Sequence, residues 1–137
     1  MHAQQIIAAH PDVRGMVDTA LIRCIEDCYD CSQTCTSCAD ACLAEAEVRE
    51  LVQCIRTCQD CADVCLTTGL VSSRRTGSNV GLISTMLQSC ETACRFCAEE
   101  CERHAERMVH CRICAEACRR CEAACRQAGA ELRQTVQ

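Results

Sequence analysis

Polar and apolar positions alternate along most of this chain in steps of three and four, and the residue occupying the apolar step is usually cysteine. Cys24, Cys28, Cys31, Cys35, Cys38 and Cys42 form a first group, spaced 4, 3, 4, 3, 4. Cys54, Cys58, Cys61 and Cys65 form a second, and Cys90, Cys94, Cys97 and Cys101 a third, both spaced 4, 3, 4. Cys111, Cys114, Cys118, Cys121 and Cys125 close the series with 3, 4, 3, 4. Alternating threes and fours average about 3.5, the period that holds a stripe on one face of a packed helix. The residues between the cysteines are mainly Arg, Glu, Asp, Gln, Thr and Ala, which suit helix and solvent. Each group therefore predicts an amphipathic helix with a cysteine seam. Four of them predict an all-α, antiparallel four-helix bundle with a cysteine-lined core.

The helices are expected at about 13–45, 48–69, 79–104 and 107–129, within a single domain spanning 1–137. Residues 69–78 read as a loop, with Gly69 ending the second helix and Ser78 capping the third. A softer break is expected near Glu45–Glu47. Cys42 and Cys54 are 12 residues apart, which puts their seams about 120° apart on one straight helix, so one helix cannot serve both. No Gly or Pro separates Cys101 from Cys111, and a tight turn is expected around Arg103–Arg107. Residues 1–12 suggest a short extra helix ended by Pro11, and the tail after Gly129 is expected to fray.

Extending each seam by its own rhythm describes the two ends of the bundle. Leu21 and Val17 precede Cys24. Leu87, Ile83 and Val80 precede Cys90, Ala128 and Leu132 follow Cys125, and Leu66 and Leu70 are read as ending the second helix. In an up-down-up-down bundle these residues gather at one end as an aliphatic plug. At the other end His104 and Met108 continue the third seam, and His110 directly precedes Cys111. Imidazole and thioether both bind soft copper, so these three residues are candidates for a copper entrance. His2 and His10 stand far from any cysteine stripe and carry no such expectation.

Composition narrows the function. Nineteen of the 137 residues are cysteine, above the roughly 10% that already marks a cysteine-built scaffold. Packing alone does not account for them, since such small side chains at nearly every seam position underfill a bundle. A net charge of −5 disfavours nucleic acid as a partner. No apolar run of about 18 residues suggests a membrane span, and no secretion signal is visible at the start. A cytoplasmic protein with reduced thiols is the expectation, and an odd number of cysteines fits a closed disulfide framework poorly. The absence of lysine, with all basic residues Arg, reads as a coding preference.

Rival metals require other patterns. Iron–sulfur clusters call for consecutive Cys-x-x-Cys steps and a Cys-Pro, whereas no two three-residue steps are adjacent and the only proline is Pro11. Structural zinc uses isolated sets of four ligands, and continuous rows are not that. A metallothionein-like coil would show Cys-x-Cys pairs and no helical period. A di-iron bundle needs Glu-x-x-His, yet Ile7, Cys101 and Arg107 stand three residues before His10, His104 and His110. Cu(I) is soft, prefers thiolate and tolerates low coordination. Cysteines three or four apart on a helix lie about 5–6 Å apart at Cβ, close enough to share an ion. Bridging thiolates then set a capacity on the order of one Cu(I) per cysteine.

The repeated Cys-x-x-x-Cys and Cys-x-x-Cys steps along four helices, from Cys24 to Cys125, resemble those of the bacterial copper storage proteins. The resemblance covers about 100 residues and is closest to the cytosolic branch, which lacks a twin-arginine signal. It implies storage and detoxification of Cu(I), a homo-oligomer (usually a tetramer of bundles), and entrance of copper through a histidine-containing end. A copper chaperone or a small-thiol copper donor is the expected delivery partner, and no enzymatic activity is expected. The alternative reading is a copper or redox sensor, or a chaperone, with a few specific sites. Nineteen ligands make a poor switch and a good reservoir.

Overall fold

The computed structural model describes residues 1–13, 15–74 and 78–136, with side chains to residue 134. Its helices are α1 (Ala3–Ala8), α2 (Thr19–Leu43), α3 (Val52–Ser72), α4 (Val80–Glu102) and α5 (Val109–Val136), and a 3₁₀ turn (Val48–Leu51) leads into α3. Helices α2 to α5 form a square. Here α2 and α4 each pack against both α3 and α5, and the diagonal pairs stay apart. The pairing of Cys24 with Cys125 and of Cys42 with Cys111 runs α2 and α5 antiparallel. Cys65 with Cys90 and Cys54 with Cys101 do the same for α3 and α4. Among the described residues there is no strand, and no helix is long and apolar enough to cross a membrane.

Local chemistry sets the ends. Asp18 precedes α2, and its Oδ1 accepts a hydrogen bond from the Leu21 amide at 3.2 Å, a cap worth about 1 kcal/mol. Between α1 and α2 the chain reverses through Gly15, whose φ of 80° only glycine adopts without strain. Its amide donates to the Ala8 carbonyl at 2.9 Å. Helix α1 stops at Ala8, three residues before Pro11, and its Ala3 and Ile7 join the core. The break after Cys101 is a turn from Arg103 to Arg107, closed in part by the Met108 amide donating to the His104 carbonyl.

Three expectations about the ends are corrected. Gly69 does not terminate its helix, because α3 runs on to Ser72. A Cβ at Gly69 would stand 3.1 Å from the Tyr29 ring, so the glycine lets that aromatic lie flat on α3. Residues 75–77 of the expected loop lie outside the described residues, and α4 opens at Val80 behind Asn79, so Ser78 is not its N-cap. The tail after Gly129 is not frayed, since α5 continues to Val136.

The plug also differs in composition. Leu21, Ile83, Leu87 and Ala128 are buried, with Val17 and Leu132 packed on them. Leu66, Leu70 and Val80, however, are exposed. From Cys65 the seam continues through Thr68 and Ser72, both buried. The Thr68 hydroxyl donates to the Val64 carbonyl at 2.8 Å, which removes the penalty of burying it. Leu87 is then among the few large side chains sealing this end. Leu87→Ala is expected to lower stability by about 2–5 kcal/mol, measurable by urea denaturation of the reduced protein. A loss below about 1 kcal/mol would mean the plug is not packed as described.

Outside the core, α4 and α5 are tied by charge. Arg119 donates to Glu102 at 2.9 and 3.0 Å and to Glu122 at 2.9 Å, and Arg126 reaches Glu91 at 2.8 Å and Glu122 at 3.2 Å. The arginines are exposed while Glu122 is buried between them, and the exposed members of the pairs add register more than stability.

Candidate metal centre

The seams of the four long helices place all nineteen cysteines in the interior, none more than 2 % exposed, and all are free thiols. Their sulfurs form a continuous column. At the plug end Cys24 and Cys125 are 3.4 Å apart, and Cys28 lies 3.8 Å from both Cys90 and Cys121. In the middle Cys65 stands 3.6 Å from Cys94, Cys31 3.7 Å from Cys118, and Cys35 3.6 Å from both Cys114 and Cys118. Toward the other end Cys58 is 3.7 Å from Cys97 and Cys101, and Cys54 is 3.7 Å from Cys101. Cys61 links Cys31 and Cys65 at 4.0 and 3.8 Å.

These spacings suit a metal. With a metal–thiolate bond of about 2.3 Å, as for zinc, three sulfurs around one ion sit about 4.0 Å apart and four about 3.8 Å. Sets of four sulfurs within 4.8 Å of one another recur along the column: Cys28, Cys90, Cys121, Cys125; then Cys31, Cys65, Cys94, Cys121; and, nearer the far end, Cys38, Cys58, Cys101, Cys114. Neighbouring sets share members. Cys121 belongs to two of them, as do Cys31, Cys35, Cys114 and Cys118. Closed four-thiolate zinc cages cannot fill such sets side by side, since each keeps its ligands to itself and leaves two surplus negative charges in the core. A monovalent ion with bridging thiolates resolves both problems, giving a core near neutrality.

Empty, the array shares its protons unevenly. Cys28, Cys35, Cys94 and Cys101 are pushed above the ordinary thiol range, first by hydrogen bonds with neighbouring thiols that favour the protonated form and then by burial. Cys24, Cys31, Cys54, Cys58, Cys61, Cys90 and Cys114 are pulled the other way, first by hydrogen bonds with neighbouring thiols. At the end away from the plug, burial is the leading cause. It raises Cys42 from 9.0 to about 11 and pushes Cys111 up as well. At this end the folded protein thus keeps protons on Cys42 and Cys111 that the unfolded chain has released. The contribution of these two thiols to the stability of the reduced, empty protein is full below about pH 9 and is lost as the pH climbs toward 11. Anaerobic urea denaturation at pH 8 and pH 10.5 should show a lower midpoint at the higher pH. An equal or higher midpoint would contradict it.

Of the three non-cysteine candidates, the structure brings one to the sulfurs. His110, the second residue of α5, points Nδ1 at Cys38 (3.5 Å), Cys111 (3.6 Å) and Cys42 (4.0 Å), and its Nε2 faces Glu45 at 3.3 Å. His104 sits on the turn after α4, with Nε2 3.2 Å from Glu100 and Nδ1 buried without a hydrogen-bond partner. Met108 is buried beside the start of α5. The sequence reading missed Glu45 and Glu100. The second was legible as an i, i+4 partner of His104, whereas the first stands 65 residues from His110 and only packing reveals it.

Comparison with known proteins places the chain. The profile of the copper storage protein family matches residues 17–130. The chain belongs to the copper storage protein family. Among solved structures, the copper storage protein Ccsp from Streptomyces lividans, loaded with 10 copper equivalents, is 50% identical with a TM-score of 0.89, over 93% of this chain and 98% of that one. The same organism's cytosolic copper storage protein with five coppers is 54% identical at a TM-score of 0.79, covering 81% and 92%. A variant of Ccsp with one histidine replaced by alanine is also 54% identical, with a TM-score of 0.82 and coverage of 85% and 98%. No curated protein matches the chain by sequence.

Proposed function

We propose that this copper storage family member stores and buffers Cu(I) in the cytoplasm, taking on the order of one ion per cysteine. The observation that carries this is the unbroken column of overlapping thiol sets, whose shared members call for bridged, singly charged ions. The ligands are Cys24, Cys28, Cys31, Cys35, Cys38 and Cys42 of α2, Cys54, Cys58, Cys61 and Cys65 of α3, Cys90, Cys94, Cys97 and Cys101 of α4, and Cys111, Cys114, Cys118, Cys121 and Cys125 of α5. His104, Met108 and His110 form the entrance, with His110 the residue in reach of sulfur. Residues 1–137 act as one domain, since α1 contributes to the same core as the bundle.

Storage rather than catalysis fits the sameness of the thiols, none of which is set apart with its own base and orienting group. A sensor reading needs one or two distinctive sites and an output surface, and the column supplies neither. The physiological donor is a copper chaperone or a small-thiol copper complex, with no role for nucleic acid or membrane. Assembly into a homotetramer is what the family resemblance implies, and Leu82, Phe96 and Ile113 are among the apolar side chains left on the outside.

Anaerobic titration of the reduced protein with Cu(I) against a competing chelator tests the reading. Tight binding of well over ten ions, with helical content unchanged, is the expected result. Saturation after one or two ions would turn the reading to a sensor or chaperone.

A further inference from the structure

Two carboxylates outside the thiol column face the two entrance histidines. Glu45 lies in the turn after α2, and its Oε2 stands 3.3 Å from Nε2 of His110 on α5, both side chains about a third exposed. Glu100 lies one helical turn before His104, 3.2 Å from its Nε2, with both side chains nearly buried. A carboxylate offers only acceptors, so the nitrogen facing it must carry the proton. A neutral imidazole has one such proton, and Nδ1 is therefore bare in each ring. In His110 that bare nitrogen is the atom aimed at Cys38, Cys111 and Cys42. In His104 it is the buried atom left without a partner, a lone pair with nothing yet to bind.

We propose that Glu45 and Glu100 are positioning residues that accept the Nε2–H of His110 and His104 and so present Nδ1 of each ring, inward and unprotonated, to arriving Cu(I). This rests on the storage reading above and adds to it how the entrance is set. An outer carboxylate that fixes ring orientation and tautomer is a general device of metal-binding histidines, here preset before any ion arrives. When Cu(I) passes from His110 to Cys38 or Cys111, the Cu–N bond gives way to a Cu–S bond. The thiol proton moves to the vacated Nδ1, giving an imidazolium paired with Glu45, and its loss from Nδ1 to solvent restores the bare nitrogen for the next ion.

The test uses the reduced, copper-free full chain with ¹⁵N-labelled histidine at pH 8. Ring-nitrogen NMR should show the Nε2–H tautomer for His104 and His110. Glu45→Ala should release His110 to a mixture while His104 is unchanged. Glu45→Gln, whose amide oxygen accepts the same N–H, should retain the tautomer. In stopped-flow uptake, Glu45→Ala should slow Cu(I) acquisition roughly tenfold at unchanged final capacity, with Glu45→Gln recovering most of the rate. An Nδ1–H tautomer in the wild type would overturn the proposal, as would wild-type uptake by Glu45→Ala. The tautomer measurement needs no copper, so its failure is distinguishable from a failure of storage, which would appear as low capacity in every variant.

Discussion

Loading the reduced protein with Cu(I) should raise its unfolding temperature by more than about 20 °C. The empty core is built from thiols, which are small, and only a few large side chains (Ile25, Leu51 and Leu87 among them) are fully buried. A bundle with so little bulk inside draws modest stability from packing. Each ion that binds the folded column and not the open chain contributes about 2.7 kcal/mol when supplied at a hundred times its dissociation constant. Several such ions exceed the whole stability of an ordinary domain, about 5–15 kcal/mol. The unfolded chain also binds copper through its cysteines and reduces the gain, but it cannot hold four helices' worth of sulfur around one ion. Anaerobic melting followed by circular dichroism, empty and loaded, would measure the shift. A change of only a few degrees would mean that copper sits on the surface or binds the unfolded chain as well.

Removing both entrance histidines, as His104→Ala with His110→Ala, should slow uptake at least tenfold and leave capacity within an ion or two of the parent. The reasoning is one of place. His110 touches the outermost thiols Cys38, Cys42 and Cys111, while the remaining sixteen cysteines supply the volume of the store. Rates come from stopped-flow mixing with a Cu(I)-chelator complex, and capacity from the end point of the same titration. A large loss of capacity at an unaltered rate would make these histidines storage ligands and sink the entrance.

The seam of the bundle was legible because cysteine is both buried and rare, so its steps of three and four mark the inner face without ambiguity. Continuation of the seams was less so. After Cys65 the same rhythm leads to Thr68 and Ser72, but hydrophobicity favoured Leu66 and Leu70, which prove to be on the outside. A threonine can stand in a core when its hydroxyl bonds back to its own helix, and sequence does not show whether it does. Gly69 looked like a stop signal because nothing in the local sequence announces Tyr29 across the helix pair. At the entrance, His104 lay on an extended stripe and His110 did not, yet it is His110 that reaches sulfur. The start of α5 turns that residue toward α2, and Glu45 holds it there, a contact between distant segments that only the packed chain contains.

The aliphatic plug gives the store an order in time. With the proposed entrance, a column sealed by Leu21, Ile83, Leu87 and Ala128 at one end is expected to fill and empty from the other. The ions that arrive first are then expected to settle deepest and depart last. Two copper isotopes supplied in succession would come out in reverse sequence, so that a protein in steady use turns over its outer load many times while the innermost copper grows old.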